Sequence, residues 1–257
     1  MKMKILQAIV VACALTAAAM AAPPAAADGR TARLLDAVTR AAGGLRAAQA
    51  LPALDYHLHI KEATFEVDGV YVVDRRGRMR IDLYQDGRRV FTECLDGERA
   101  WQMDAGGAAN DASAEGTAAL RHGTQYPGQI LAADDRDTMP VCRKFGERID
   151  GTDYIVLKLT MHDGFETYRY VNPRTQRIER GRDVRAPHPD IDPKKTLLES
   201  TWSDFRVVDG VLRPFTETQT DLATGKWNQT ATVQSIRRLP ALADALFVEG
   251  APPDPAL

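Results

Sequence analysis

The sequence predicts a mainly β, antiparallel fold with few helices. Three observations carry that expectation. Apolar and polar residues alternate with period two through most of the chain after Pro52. Asp-Gly, Asn-Pro and Thr-Gly pairs interrupt the alternation at a spacing of about ten residues, which suits a meander of hairpins. Helical periodicity is clear in only one segment, near the N-terminus.

The first 27 residues read as a cleavable export signal. Lys2 and Lys4 form a basic start, and ILQAIVVACALTAAAM at 5–20 is uncharged and apolar but short for a membrane span. Small residues follow, and the AAA at 25–27 places cleavage after Ala27, with Asp28 as the new first residue. VVAC at 10–13 resembles a lipobox on Cys13, but the apolar stretch before it is too short, so cleavage after Ala27 is preferred. Of the 257 residues, 230 remain, enough for a single large β-domain over 28–250 with a disordered tail at 251–257.

Leu34, Leu35 and Val38 share a helical face, and Gly43-Gly44 ends that helix. LRAAQAL adds a turn before Pro52. Alternation then takes over in LDYHLHI, where Leu54, Tyr56, Leu58 and Ile60 share a face, and in FEVDGVYVV. RMRIDLY sets Met79, Ile81 and Leu83 against Arg78, Arg80 and Asp82. Asp86-Gly87 and Asp96-Gly97 are hairpin turns on either side of RRVFTECL; ERAWQMD follows with Trp101 and Met103 on one face. Residues 105–125 read as a loop or short helix, and 126–133 as a brief helix after Pro127. DYIVLKLTM aligns Ile155, Leu157, Leu159 and Met161. Asp-Gly at 163–164, Asn172-Pro173, Asp209-Gly210 and Thr224-Gly225 separate the later strands, and APHPDIDPKK is a loop. LADALF closes the domain with a helical turn. The implied sheet has one apolar and one charged face, and its few helices look small as a cover.

Charge excludes little else. The chain holds 33 Lys and Arg against 35 Asp and Glu, and without Lys2 and Lys4 the balance becomes 31 against 35, with no basic footprint for nucleic acid. Glycine-rich phosphate loops, nucleophile elbows and CxxC pairs are missing from the sequence. His57 and His59 with Asp55 alternate on a strand as a metal pair would, but no third ligand has telling spacing, so neither metal nor cofactor is expected. Cys94 and Cys142 remain after processing. An oxidising compartment permits a disulfide between them, closing a loop of about 48 residues worth roughly 4 kcal/mol in the chain-entropy model; two separate buried thiols are the alternative.

Several segments resemble the bacterial outer-membrane lipoprotein-sorting family, the LolA-like and LolB-like proteins. LLDAVTRAAGGLRAAQAL is similar to the family's leader helix. RRGRMRID followed by LDGERAW, the pair GERIDGTDYIVLKL, and YRYVNPRTQRIER fit its strands and turns. SDFRVVDGVLRPF and LFVEGAP fit its late segments. The resemblance spans about residues 31–252 and rests on turns and strand starts, so it speaks to fold more than to activity. Relatives that carry lipoproteins have an Arg-Pro in the first sheet, whereas Arg75-Arg76 is followed here by Gly77. The segments 105–125 and 186–195 have no counterpart.

What the resemblance implies is an unclosed antiparallel β-half-barrel, covered by the N-terminal helix and short helical segments. It also implies a periplasmic, non-enzymatic protein sheltering lipid or lipoprotein acyl chains. The apolar stripe of Met79, Ile81, Leu83, Trp101, Met103, Leu157, Leu159 and Met161 is then the candidate cavity lining, though alternating apolar residues are also what any core contains. Two further readings stand beside it: an envelope sensor or scaffold bound to an inner- or outer-membrane protein, and a cofactor-free enzyme using the cavity.

Overall fold

The computed structural model describes residues 29–124, 138–161 and 163–254, with side chains throughout except at 138–145. The expected signal over 1–27 with its Ala27–Asp28 junction, Cys13, the helix expected at 126–133, and His162 lie outside the described residues, as do 255–257 of the tail.

Helix α1 (Gly29–Ala41) and the short α2 (Leu45–Gln49) lead into strands β1 (Ala53–Glu62), β2 (Glu66–Asp74), β3 (Met79–Gln85), β4 (Arg88–Leu95), β5 (Ala100–Asp104) and β6 (Ala109–Asp111). Helix α3 (Ala114–Gly123) follows. Then come β7 (Thr138–Ile149), β8 (Thr152–Met161), β9 (Glu166–Asn172), β10 (Arg177–Arg185), β11 (Thr196–Val208), β12 (Val211–Asp221) and β13 (Lys226–Leu239). A 3-10 helix (Asp244–Phe247) ends the fold. The stretch expected as a loop or short helix at 105–125 therefore holds both β6 and α3.

All the strands form one antiparallel sheet in the order β6-β5-β4-β3-β2-β1-β13-β12-β11-β10-β9-β8-β7. The two ends of that order do not pair, so the sheet is an unclosed half-barrel. Consecutive strands are neighbours because short turns join them. Asp86-Gly87, Asp150-Gly151 and Asp209-Gly210 each hold two successive residues at positive φ, the geometry that tight hairpins need. The exception is β6 to β7, which stand at opposite ends of the order, and the two runs of strands meet where β13 pairs with β1.

Helix α1 buries Leu34 and Val38 on Leu157, Val171, Ile178 and Trp202. It stops where Gly43 turns at φ +107° against the β11–β12 turn. A Cβ at Gly43 would lie 2.0 Å from the Gly210 oxygen, so only glycine permits the approach. Beside it the Leu212 amide donates to the Ala42 carbonyl at 2.9 Å.

The sheet has an inner face, packed on α1, α2 and α3, and an outer face. On the outer face the C-terminal segment lies over β3–β5. Leu242, Leu246 and Phe247 pack on Val72, Cys94, Trp101 and Met103. The sequence sets Arg78, Arg80 and Asp82 on a charged face; the structure buries that face. Arg78 pairs with Asp74 at 2.6 Å and stacks over the Phe247 ring. Arg80 grips both oxygens of Asp82 at 2.8 and 3.0 Å and donates to the Leu246 and Ala251 carbonyls. Ala251, expected in the tail, is thereby held against the sheet.

Candidate functional site

The inner face divides along the sheet. From β1 to β4 it is apolar. Cross-strand pairing aligns Leu54–Val73–Met79–Leu95, Tyr56–Tyr71–Ile81 and Leu58–Gly69–Leu83–Phe91. These residues join Ile60, Val67, Val211, Phe215, Ala231 and Val233 in one cluster. From β12 to β9 the same face turns polar: Arg213, Glu217, Gln219, Ser200 and Arg169 are all buried.

Two elements span this face at the rim. Ser113 caps α3, its Oγ accepting from the Gly116 amide at 2.9 Å, and Leu120 of α3 packs on the apolar cluster. At its other end His122 lies 2.5 Å from Asp163 and stacks on Phe165, in the β8–β9 turn. A helix of ten residues is about 15 Å long, whereas nine strand spacings of about 4.8 Å separate β5 from β9 in a flat sheet. One short helix touching both β5 and the β8–β9 turn therefore requires the sheet to curl around its inner face.

The second element is the loop at 186–195, between β10 and β11. Its Asp190 accepts from the Ser113 amide at 2.8 Å and from Gln102 Nε2 at 2.9 Å. Lys195 reaches Glu115 at 2.8 Å, and His188 stands 3.8 Å from Glu62. The loop thus ties the polar half of the sheet to α3 and to the apolar half. The pair α1–α2 covers the opposite end.

Burial shapes the electrostatics of the inner face. It pushes the Glu93 carboxyl up to about 8, against the hydrogen bond from Gln102. Burial likewise pushes Glu217 up to about 7, although Ser200 and Trp202 hydrogen-bond it and Arg185 and Arg169 lie near. Glu62 also rises to about 7 by burial, opposed by Lys226. The Arg169 guanidinium, over the Trp202 ring, is pushed down by burial. Burial therefore raises three carboxyls of the inner face from the ordinary carboxylate range toward neutrality.

The structure brings together part of the stripe read from the sequence. Met79, Ile81 and Leu83 line the apolar half. Leu157 lies on the inner face beneath α1, with Leu159 and the half-buried Met161 further along the same strand face. Trp101 and Met103 do not join them. Cys94 pairs with both Arg80 and Trp101, so Trp101 inherits the outer face and packs under Phe247. Trp101 Nε1 donates to the Phe247 carbonyl at 3.1 Å. Cys94 is a free buried thiol in the same outer cluster. Cys142 stands in β7, at the far end of the sheet order, and its side chain lies outside the described residues. His57 sits 3.6 Å from Asp55, and His59 sits 3.0 Å from Asp68 and 3.6 Å from Glu66. Sequence reading missed Arg213 and Glu217. Their signal was present: in VLRPFTE, Val211, Arg213, Phe215 and Glu217 share one parity, and two of the four are charged.

Comparison with known proteins bears on the fold. Neither a protein-family model nor a curated protein sequence matches the chain. Among solved structures, a LolA superfamily protein from Nitrosomonas europaea superposes with a TM-score of 0.55 at 16% identity, over 83% of this chain and 97% of its own. A putative outer membrane lipoprotein-sorting protein domain from Vibrio parahaemolyticus gives 0.56 at 13% identity, over 85% and 97%. A DUF1329 family protein from Desulfovibrio piger gives 0.54 at 13% identity, over 84% and 96%. The chain has a LolA-like fold.

Proposed function

Starting from that LolA-like fold, we propose that the chain is a periplasmic, non-enzymatic binding protein that shelters lipid or lipoprotein acyl chains against its inner face. The observation that carries this reading is the split inner face under a light cover. Strands β1 to β4 offer a continuous apolar surface, on which α1–α2 pack through Ala42, Leu45 and Ala48 at one end; what spans its rim is a ten-residue helix resting on it through Leu120, and a loop held by polar contacts at Asp190, Lys195 and His188. Polar latches at a rim cost little to open compared with a packed apolar cover. Each methylene moved from water onto such a surface gains about 0.8 kcal/mol, so a single acyl chain supplies ample driving force. Two structural neighbours, the LolA superfamily protein and the lipoprotein-sorting domain, support the same assignment.

Delipidated protein should take up a fluorescent fatty acid or a triacylated peptide at micromolar concentration; failure with both refutes the reading. Export is testable separately. Periplasmic protein should begin at Asp28, and retention of residues 1–20 or a diacylglycerol on Cys13 contradicts it.

A further inference from the structure

Arg213 lies on the inner face of β12 and is 1% exposed. Its inner-face neighbours along the strand are Val211 and Phe215, both members of the apolar cluster that contains Tyr56, Tyr71 and Ile81. The guanidinium cannot shed its charge inside a protein. Yet among the described residues its one hydrogen bond runs from Nη1 to the Tyr56 hydroxyl, at 2.8 Å. Among the described residues Nε and Nη2 are buried without a partner, and no carboxylate forms a salt bridge with the guanidinium. Glu217 is four residues further along the same strand face, about 13 Å away between Cα atoms, and is hydrogen-bonded to Ser200 and Trp202.

Nε–H and Nη2–H lie along one edge of the planar guanidinium. That edge is the fork that holds both oxygens of a carboxylate in two parallel hydrogen bonds. Elsewhere in this protein a buried arginine uses it in that way: Arg80 holds Asp82 through Nε and Nη2. At Arg213 the same edge meets no acid among the described residues. Val211, Phe215 and Tyr71 of the apolar cluster lie around it, and Arg206, opposite Arg213 in the β11–β12 ladder, stacks over Phe215 and is paired with Asp204.

We propose that Arg213, with Tyr56 orienting its guanidinium, is the headgroup anchor for a long-chain monocarboxylate, whose aliphatic tail lies along the apolar half of the inner face. The site takes a fatty acid in preference to its neutral ester. The ionised carboxylate supplies the counter-charge that Arg213 lacks, and the tail supplies the apolar burial. This rests on the acyl-binding reading above and adds to it a choice of headgroup.

The test is a competition experiment on delipidated mature protein, with the apolar fluorophore N-phenyl-1-naphthylamine as probe. Oleate and methyl oleate are the competitors, at a pH where free oleate is ionised. The native protein should prefer oleate by about tenfold or more, the scale of a charge-assisted bidentate contact. In Arg213→Met that preference should fall to about one, with methyl oleate displacing the probe as before. Arg213→Lys keeps the charge, loses the fork, and should lose most of the preference; it serves if the methionine variant does not fold. Tyr56→Phe should keep most of it. Equal displacement by oleate and methyl oleate in the native protein overturns the anchor while leaving acyl binding intact. So does a preference retained in both Arg213 variants. Absence of probe binding, with no displacement to measure, overturns the acyl-binding reading and the anchor with it.

Discussion

Two buried arginines separate the outer face from the inner one. Arg80, on β3, donates to both oxygens of Asp82 and to two carbonyls of the C-terminal segment, and Thr92 donates to Asp82 from the next strand. Among the described residues, Arg213 on β12 donates to the Tyr56 hydroxyl alone. The first is a closed network in which each charge is matched, and it fastens residues 242–251 to the sheet. The second is a buried cation beside Val211 and Phe215 whose Nε–Nη2 fork has no partner among the described residues. Burial by itself therefore does not distinguish a structural charge from a binding one; the count of satisfied donors does.

The comparison breaks most visibly at Arg80. Arg80→Met leaves Asp82 buried with Thr92 but without its cation, and releases two carbonyls of the C-terminal segment. Removing one partner of a buried pair costs about 3–5 kcal/mol. Urea denaturation should show a loss of that size, and a loss below about 1 kcal/mol, the range of an exposed pair, would show that the network is not closed as described.

A second contrast concerns pH. Burial raises Glu217 in the folded protein from 4.5 to about 7. Between those pH values the folded state holds a proton that the unfolded chain has released, so its stability falls as pH rises through the window. Glu62, raised to about 7, and Glu93, raised to about 8, add to the same slope. Glu217→Gln should flatten the decline between about pH 4.5 and 7. An unchanged slope in denaturation midpoints across that range would mean that Glu217 is not buried as a neutral acid.

At Arg213 the expected stability change is smaller and opposite in sign to that at Arg80. Replacing an unmatched buried cation with methionine should leave the ligand-free protein unchanged or raise its stability by up to about 2 kcal/mol. A loss above about 3 kcal/mol on thermal or urea denaturation would make Arg213 a structural residue like Arg80.

Smallest of all is the effect expected at Cys94. It is free, buried beneath Phe247, and its thiol is pushed up to about 12 by burial. Thiolate chemistry should be negligible until the fold opens. Iodoacetamide should label Cys94 only in denaturant, and rapid labelling of the folded protein would show the C-terminal cover to be loose.

Much of the fold is legible in the sequence. Asp86-Gly87, Asp209-Gly210 and Thr224-Gly225 mark turns found in the structure, and Gly43-Gly44 ends α1 as its position suggests. Alternation within a strand also gives correct local parity, as at Met79, Ile81 and Leu83. What alternation does not give is parity between strands. Trp101 and Met103 look continuous with Met79 and Ile81, but the β4–β5 pairing sets Trp101 opposite Cys94, and so on the outer face. Nor does a sequence show that 242–251 returns over the sheet, which is why Arg78, Arg80 and Asp82 read as an ordinary charged face. The candidate site suffers from the opposite bias. Apolar residues were sought for a lipid surface, and the informative residue is Arg213, whose neighbours Val211 and Phe215 carry the apolar pattern around it.

The measurement that bears most directly on acyl-chain sheltering is where a photoreactive fatty acid attaches. Delipidated protein would be irradiated with a diazirine-tailed fatty acid, digested, and mapped by mass spectrometry. Labels are expected on inner-face residues of 54–60, 67–73, 79–83 and 211–217, and should be competed away by excess oleate. Labelling confined to the outer face around 101–103 and 242–248, or labelling that oleate does not suppress, would contradict an acyl chain held on the inner face.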